Sequence, residues 1–325
     1  HIGCVCLVWK LISSLLRVHG GVSEKQILYV NFITTLLFAV HPINVEAVAW
    51  ISALKVLLYA FFYLLGLLCY LRYIRTSKIF YYVLTIGCFL CSFWGKEQAV
   101  TFPLALLIVD WFTNRNMKNL EVWSEKMSFL IMAFFFGIIT VLSQGKGPYE
   151  MIFPLYQRLL FGCFALVEYI TKSLLPVNLN FFYPFPIVLG EEPPLHYYLY
   201  PVVLLFLMGW IIAYRNNRYL VFGVLLFLVN LLFSIHLFNM SRHAIVADRY
   251  MYLSYVGIAF LIANGIWWLR KRLSYFKAAL VFLFFYCFFL SVYTFHYTKK
   301  WENTTMVKKY TKEVLEKRLN GSNHL

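Results

Sequence analysis

The feature that most constrains this chain is the recurrence of uncharged apolar runs about as long as a bilayer is thick. Stretches such as VLLYAFFYLLGLLCYL (56–71) and ALVFLFFYCFFLSVYTF (279–295) hold no charged side chain. A backbone that crosses hydrocarbon must satisfy its own hydrogen bonds, so each run reads as a helix of about 17 to 25 residues. The 325 residues are 62% hydrophobic and only 13% charged, about half the charged fraction of a soluble domain. The fold class is therefore an all-α polytopic membrane protein whose first partner is the lipid bilayer. A net charge of +15 does not imply a nucleic-acid partner, because cytoplasmic loops of membrane proteins collect Lys and Arg.

Ten crossings are expected, at about 1–17, 26–41, 54–72, 79–94, 98–113, 127–143, 197–213, 219–236, 251–269 and 278–296. Orientation follows from where the basic residues gather. Five short connections, around 17–25, 72–78, 115–126, 215–218 and 270–277, hold fourteen Lys and Arg. The opposite set holds seven before the tail: Lys55, Lys96, Lys146, Arg158, Lys172, Arg242 and Arg249. The first set is read as cytoplasmic. The alternation closes only if 156–175, with Arg158, Glu168 and Lys172 inside it, is an interfacial or re-entrant helix. The C-terminal tail then lies outside, in a periplasm or a lumen. The chain opens on His1 inside an apolar run, and the expectation is a piece of a longer protein with a helix and an external loop ahead of it. The seven cysteines all lie in apolar runs and read as packing residues.

On this topology the acids gather on the outer face, and ionisable groups at membrane depth point to a functional site. HPINVEAVAW (41–50) places His41 near a helix cap and Glu46 in the opening turns. Pro suits the first turn, and an acid there complements the helix dipole. A plain helix corner and a pair of side chains facing a cavity both fit. WGKEQAVTFPLALLIVDW (94–111) repeats the pattern, with Lys96 beside Glu97. NMSRHAIVADRYMYLSYVG (239–257) carries Arg242, Asp248 and Arg249. A guanidinium steadied by a neighbouring acid suits a phosphate or carboxylate, although a snorkelling anchor is the alternative. No Walker motif, nucleophile elbow or zinc spacing is present.

Taken in order, HPINVEAVAWISA, WGKEQAVTFPLALLIVDW, LLPVNLNFFYP and VADRYMYLSYVG resemble the transmembrane half of the TMTC-type (transmembrane and tetratricopeptide repeat) protein O-mannosyltransferases, in the style of a bacterial relative. The resemblance implies a GT-C-like bundle over 1–298 and the start of an external helical, repeat-bearing region over 299–325. It implies a glycosyltransferase that takes a mannose-like sugar from a polyprenyl-phosphate carrier and passes it to a Ser or Thr hydroxyl of a protein acceptor. No acidic pair in the sequence suits a metal, so no metal or cofactor is expected. The active face would be periplasmic in a bacterial inner membrane, or luminal in an endoplasmic reticulum membrane. The catalytic acid is expected upstream of His1. Carried over onto this chain are His41, Glu46, Lys96, Glu97, Arg242, Asp248 and Arg249 as substrate-binding residues, with Arg249, helped by Lys96 or Arg242, on the carrier phosphate. Two departures stand out: Asp248 replaces a more usual Glu, and Val56 occupies the place of an acid beside Lys55. The alternatives are a transferase acting on a lipid or glycan, a non-catalytic anchor that presents repeats, and a transporter, which the gathering of charges at one face counts against.

Overall fold

Apolar runs become helices here, and polar corners decide where they stop. The computed structural model describes residues 1–143, 153–235 and 244–322. In chain order the helices are α1 (Ile2–His19), α2 (Glu24–Val40), the short α3 (Val45–Ala49), α4 (Leu54–Thr76), α5 (Ile79–Gly95), α6 (Phe102–Phe112), α7 (Leu120–Ser143), α8 (Leu155–Leu174), α9 (Leu199–Ala213), α10 (Arg218–Leu231), α11 (Met251–Trp268), α12 (Leu273–Lys299) and α13 (Thr304–Ser322). Their ends follow local chemistry. Ser23 caps α2 by accepting from the Gln26 amide, and Asn217 caps α10 by accepting from the Tyr219 and Leu220 amides. Ser77 closes α4 in the left-handed conformation, with its amide donating to the Tyr73 carbonyl.

Among the described residues six helical segments are long and apolar enough to cross a membrane: Ile2–His19, Ile51–Thr76, Leu120–Thr140, Leu195–Ala213, Asp248–Lys271 and Leu273–Lys299. A seventh arises if Glu24–Val40 and Pro42–Ala49, bent by 51°, count as one broken span. Ten crossings are expected from the sequence, and the difference has a physical cause. Polar corners divide some apolar runs into pieces. The run at 98–113 is split between a 3₁₀ turn, Glu97–Thr101, and the 11-residue α6. The helices at 79–94 and 219–236 are the 17-residue α5 and the 14-residue α10. The stretch 156–175 is one 20-residue helix, α8, that buries Gln157, Phe161, Tyr169 and Lys172 and packs on α9 and α11.

The core runs through α4 against α5, α10 against α11, α11 against α2, and α1 against both α2 and α4. Small residues set the closest approach. A Cβ on Gly257 would lie 2.5 Å from the Gly223 carbonyl oxygen, so α10 and α11 cross glycine to glycine. By contrast α9 buries no residue, and α12 turns Phe282, Phe285 and Phe288 outward. Those are surfaces that lipid covers. Beyond α12 the chain turns back, and Trp301 joins Val45, Leu179 and Tyr297 in a second apolar cluster. The Tyr310 hydroxyl of α13 donates to the Leu179 carbonyl at 3.0 Å.

Candidate functional site

Three helix breaks meet at one end of the bundle. At the first, His41 adopts an extended conformation before Pro42, as a residue preceding proline must to avoid a clash. Its Nδ1 accepts from the Ile43 amide at 3.2 Å, and its ring lies 4.2 Å from that of Tyr255. Asn44 donates to the Phe38 carbonyl at 2.8 Å, tying the corner back to α2. The turn then sends Glu46 inward, where it is completely buried. A buried carboxylate is costly without partners, and Glu46 has two. The Arg249 amide donates to its Oε2 at 2.7 Å, and the Arg249 guanidinium to its Oε1 at 2.5 Å. The first and third breaks, 203 residues apart, are thus joined by one buried ion pair. Arg249 also lies over two rings, 5.5 Å from the centroid of Trp50 and 5.1 Å from that of Tyr250.

The second break brings Lys96 to the same place. Gly95 lets α5 approach α4 closely: a Cβ there would sit 2.6 Å from the Tyr59 amide nitrogen. Lys96 follows in an extended conformation, and its Nζ is buried, lacks any hydrogen-bond partner and lies 4.4 Å from the centre of the Tyr250 ring. Burial pulls its amine down to about 7, against the opposing pull of Glu97 and Glu46. Arg249 and Lys55 also act on it, and both lower it. Lys96 and Arg249 therefore share this corner with Glu46 and Glu97, while Lys55 lies exposed nearby. Glu97 is half-buried at the start of the 3₁₀ turn, and Gln98 donates to the Ser234 hydroxyl at 2.5 Å.

Asp248 is engaged separately. Both of its carboxylate oxygens lie 3.0 Å from the Tyr183 hydroxyl. Burial and the carboxylate push that hydroxyl well above the ordinary tyrosine value, so it stays a donor. Tyr183 also pairs with Val246 in a single antiparallel bridge, its carbonyl accepting from the Ile245 amide at 2.9 Å. From α8, Lys172 lies over the Tyr183 ring at 4.6 Å and within 3.5 Å of Glu168. Neither Lys172 nor Tyr183 is among the site residues expected from the sequence. Glu168 and Lys172 are spaced i,i+4 on α8, an ordinary helix pairing, and nothing in the sequence joins either of them to Tyr183. Arg242 lies outside the described residues.

A second charged cluster sits at the opposite end. Asp110 of α6 and Lys126 of α7 are in direct contact, and Lys126 also meets the Tyr70 hydroxyl. Arg115 forks onto Glu125 at 2.6 and 3.0 Å and reaches Asp110 at 3.2 Å. Tyr70 donates to both oxygens of Asp110 at 2.8 and 2.9 Å, and Tyr73 donates to Glu125 at 3.0 Å. Two acids meet two cations, and each is paired. Among the described residues no three His, Cys, Asp or Glu side chains are grouped to hold a metal ion.

Fold and site together define a multi-pass all-α membrane protein with a buried, cation-rich corner at one end of its bundle. Over 101 residues the chain is 36% identical to the protein O-mannosyl-transferase TMTC2 of Mus musculus, a match covering 29% of this chain and 12% of that protein. The same enzyme of Homo sapiens is 37% identical over 101 residues, with the same coverage. The Drosophila melanogaster protein O-mannosyl-transferase Tmtc3 is 26% identical over 137 residues, covering 36% of this chain and 15% of that protein. The matches thus span about an eighth of the length of these curated relatives. No family model and no solved structure matches the chain.

Proposed function

We propose that this chain forms the membrane core of a GT-C-type glycosyltransferase that moves a mannose-like sugar from a polyprenyl-phosphate carrier to a Ser or Thr hydroxyl of a protein on the extracytoplasmic side. The observation that carries this reading is Lys96, whose buried amine beside the Glu46–Arg249 pair has no hydrogen-bond partner of its own and holds its proton more firmly once an anion lies against it. Similarity to relatives named as protein O-mannosyl-transferases supports the acceptor and the sugar.

In the transfer, the acceptor oxygen bonds to the anomeric carbon, and the bond from that carbon to the carrier phosphate oxygen breaks. The acceptor gives up its proton to a general base, a carboxylate of the full-length enzyme, and the phosphate leaves with the electron pair and one more negative charge. A cation fixed where that charge grows stabilises the transition state more than the ground state. Lys96 fills this role. Glu46 holds Arg249 by its backbone and its side chain at once, which fixes the second cation in place. His41 shapes the corner, and the Asp248–Tyr183 contact secures the segment that carries Arg249. The donor is a lipid substrate, so the reading requires no cofactor.

The test is transfer by the full-length protein in lipid nanodiscs, given polyprenyl-phosphate mannose and a Ser/Thr peptide. Lys96→Met is expected to lower kcat/KM by about 10²-fold or more, and Lys96→Arg to retain part of the activity. Equal transfer by wild type and Lys96→Met would remove Lys96 from the reaction. A wild type that transfers no sugar would remove the reaction itself.

A further inference from the structure

Beside the charged corner lies an open cleft of about 1000 Å³, at the upper end of the range for ligand sites. Its lining includes four aromatic rings, those of Trp50, Phe181, Phe182 and Trp301. Trp50 and Phe181 meet edge to face at 5.1 Å, and Trp301 packs on Phe181 at 5.9 Å. One wall is α13, which contributes Thr304, Val307, Lys308, Thr311, Lys312 and Glu316, the spacing of one helix face. The Oγ1 of Thr311 is buried and has no hydrogen-bond partner. The cleft touches the ionic site through Trp50, whose ring centroid is 5.5 Å from the Arg249 guanidinium.

We infer that this cleft seats the acceptor, an extended and uncharged stretch of hydroxyl-bearing polypeptide laid along α13 with one side chain directed past Trp50. The inference rests on the transfer reaction proposed above. The length of the wall and the chemistry of the lining favour a polypeptide. From Thr304 to Glu316 the α13 wall runs about 18 Å at the helical rise, which matches about five residues of extended chain. Aromatic rings suit the alternate side chains of such a segment, while Ser52 and Thr311 offer hydroxyls to its backbone. Charge sets the preference for an uncharged segment: Lys308 and Lys312 are balanced by Glu302 and Glu316, and Lys312 lies 3.8 Å from Glu316.

The test uses full-length protein in nanodiscs and a fluorescein-labelled, uncharged eight-residue peptide of Ser, Thr, Ala and Val, read by anisotropy. Thr311→Trp fills the cleft and Phe182→Ala strips one ring from it, while neither touches Lys96 or Arg249. Each is expected to raise the peptide Kd and the peptide KM about tenfold, which is 1.4 kcal/mol. The kcat at saturating peptide and the peptide-independent hydrolysis of the donor stay at wild-type values, which also shows that the variants fold. If wild type transfers sugar and both variants bind peptide as well as it does, the cleft is not the acceptor site. Displacement of the peptide by a mannose oligosaccharide would likewise overturn the assignment. If wild type binds the peptide and the variants do not, yet no sugar is transferred, the cleft stands and the reaction falls.

Discussion

Replacing Lys126 with Met separates the structural role of buried charge from its functional role. Lys126 and Asp110 are both 0% exposed and in direct contact, so the substitution leaves a buried carboxylate short of one cation. Removing one member of a buried pair costs about 3 to 5 kcal/mol, chiefly because the other charge is stranded. Asp110 keeps its bonds to Tyr70 and a 3.2 Å contact with Arg115, which holds the cost near the lower end, about 3 kcal/mol. At about 2 °C per kcal/mol for a chain of this size, the melting temperature in detergent falls by about 6 °C. Adding Asp110→Asn removes the stranded charge, and the double variant is expected to recover at least half of that loss. The assay is thermal unfolding of the purified full-length protein, followed by tryptophan fluorescence. A single variant as stable as wild type would refute the reasoning. So would a double variant that melts as far down as the sum of the two single changes. Donor hydrolysis by the surviving folded protein should be unchanged, since the cluster lies at the far end of α4 from the candidate site.

The remaining predictions concern the site end. Burial lowers the folded-state pKa of Lys96 to about 7 from its ordinary value of 10.5. Between those values the unfolded chain binds the proton and the folded chain does not. Stability therefore rises with pH from about 7 towards 10; Lys96→Met flattens this rise in a pH series of melting curves, and an unaltered slope counts against it. Gly95→Ala puts a Cβ 2.6 Å from the Tyr59 amide nitrogen, so α5 must move off α4 at a cost of about 1 to 3 kcal/mol. The same variant displaces Lys96 and lowers transfer, whereas a variant that melts and transfers like wild type contradicts the close approach.

The sequence made the helices legible because burial in lipid leaves little choice: an apolar run must close its own hydrogen bonds. It was less able to say where a run is interrupted. The 98–113 run loses its first turn to a 3₁₀ segment that follows the buried Lys96. Within the site, His41, Glu46, Lys96 and Arg249 stand out as polar residues at helix ends. Tyr183 and Lys172 do not, since a tyrosine in an aromatic loop and a lysine on an amphipathic helix are ordinary surface features. Only the fold brings Tyr183 to Asp248, 65 residues away in the chain. Arg115 and Lys126 teach a related lesson. Both count as loop charges when basic residues are used to orient the bundle, yet both are committed to the buried cluster with Asp110 and Glu125.

The contrast between the two charged ends supplies a criterion for function that neither end offers alone. At the Asp110 end every ionised side chain has an opposite charge in contact, and the tyrosine hydroxyls supply further bonds; nothing there is left to bind a ligand. At the Glu46 end the protein spends one carboxylate on two donors of a single arginine and leaves Lys96 beside it with only an aromatic ring. The Tyr255 hydroxyl is also buried there without a hydrogen-bond partner. Unmet polar groups are costly in a packed interior, and a chain able to pair four charges fully at one end has no need to tolerate them at the other. The unpaired amine of Lys96 is what the leaving carrier phosphate would satisfy, holding its proton as the charge grows. That is why Lys96, with Arg249 already held by Glu46, is the residue on which the proposed reaction turns.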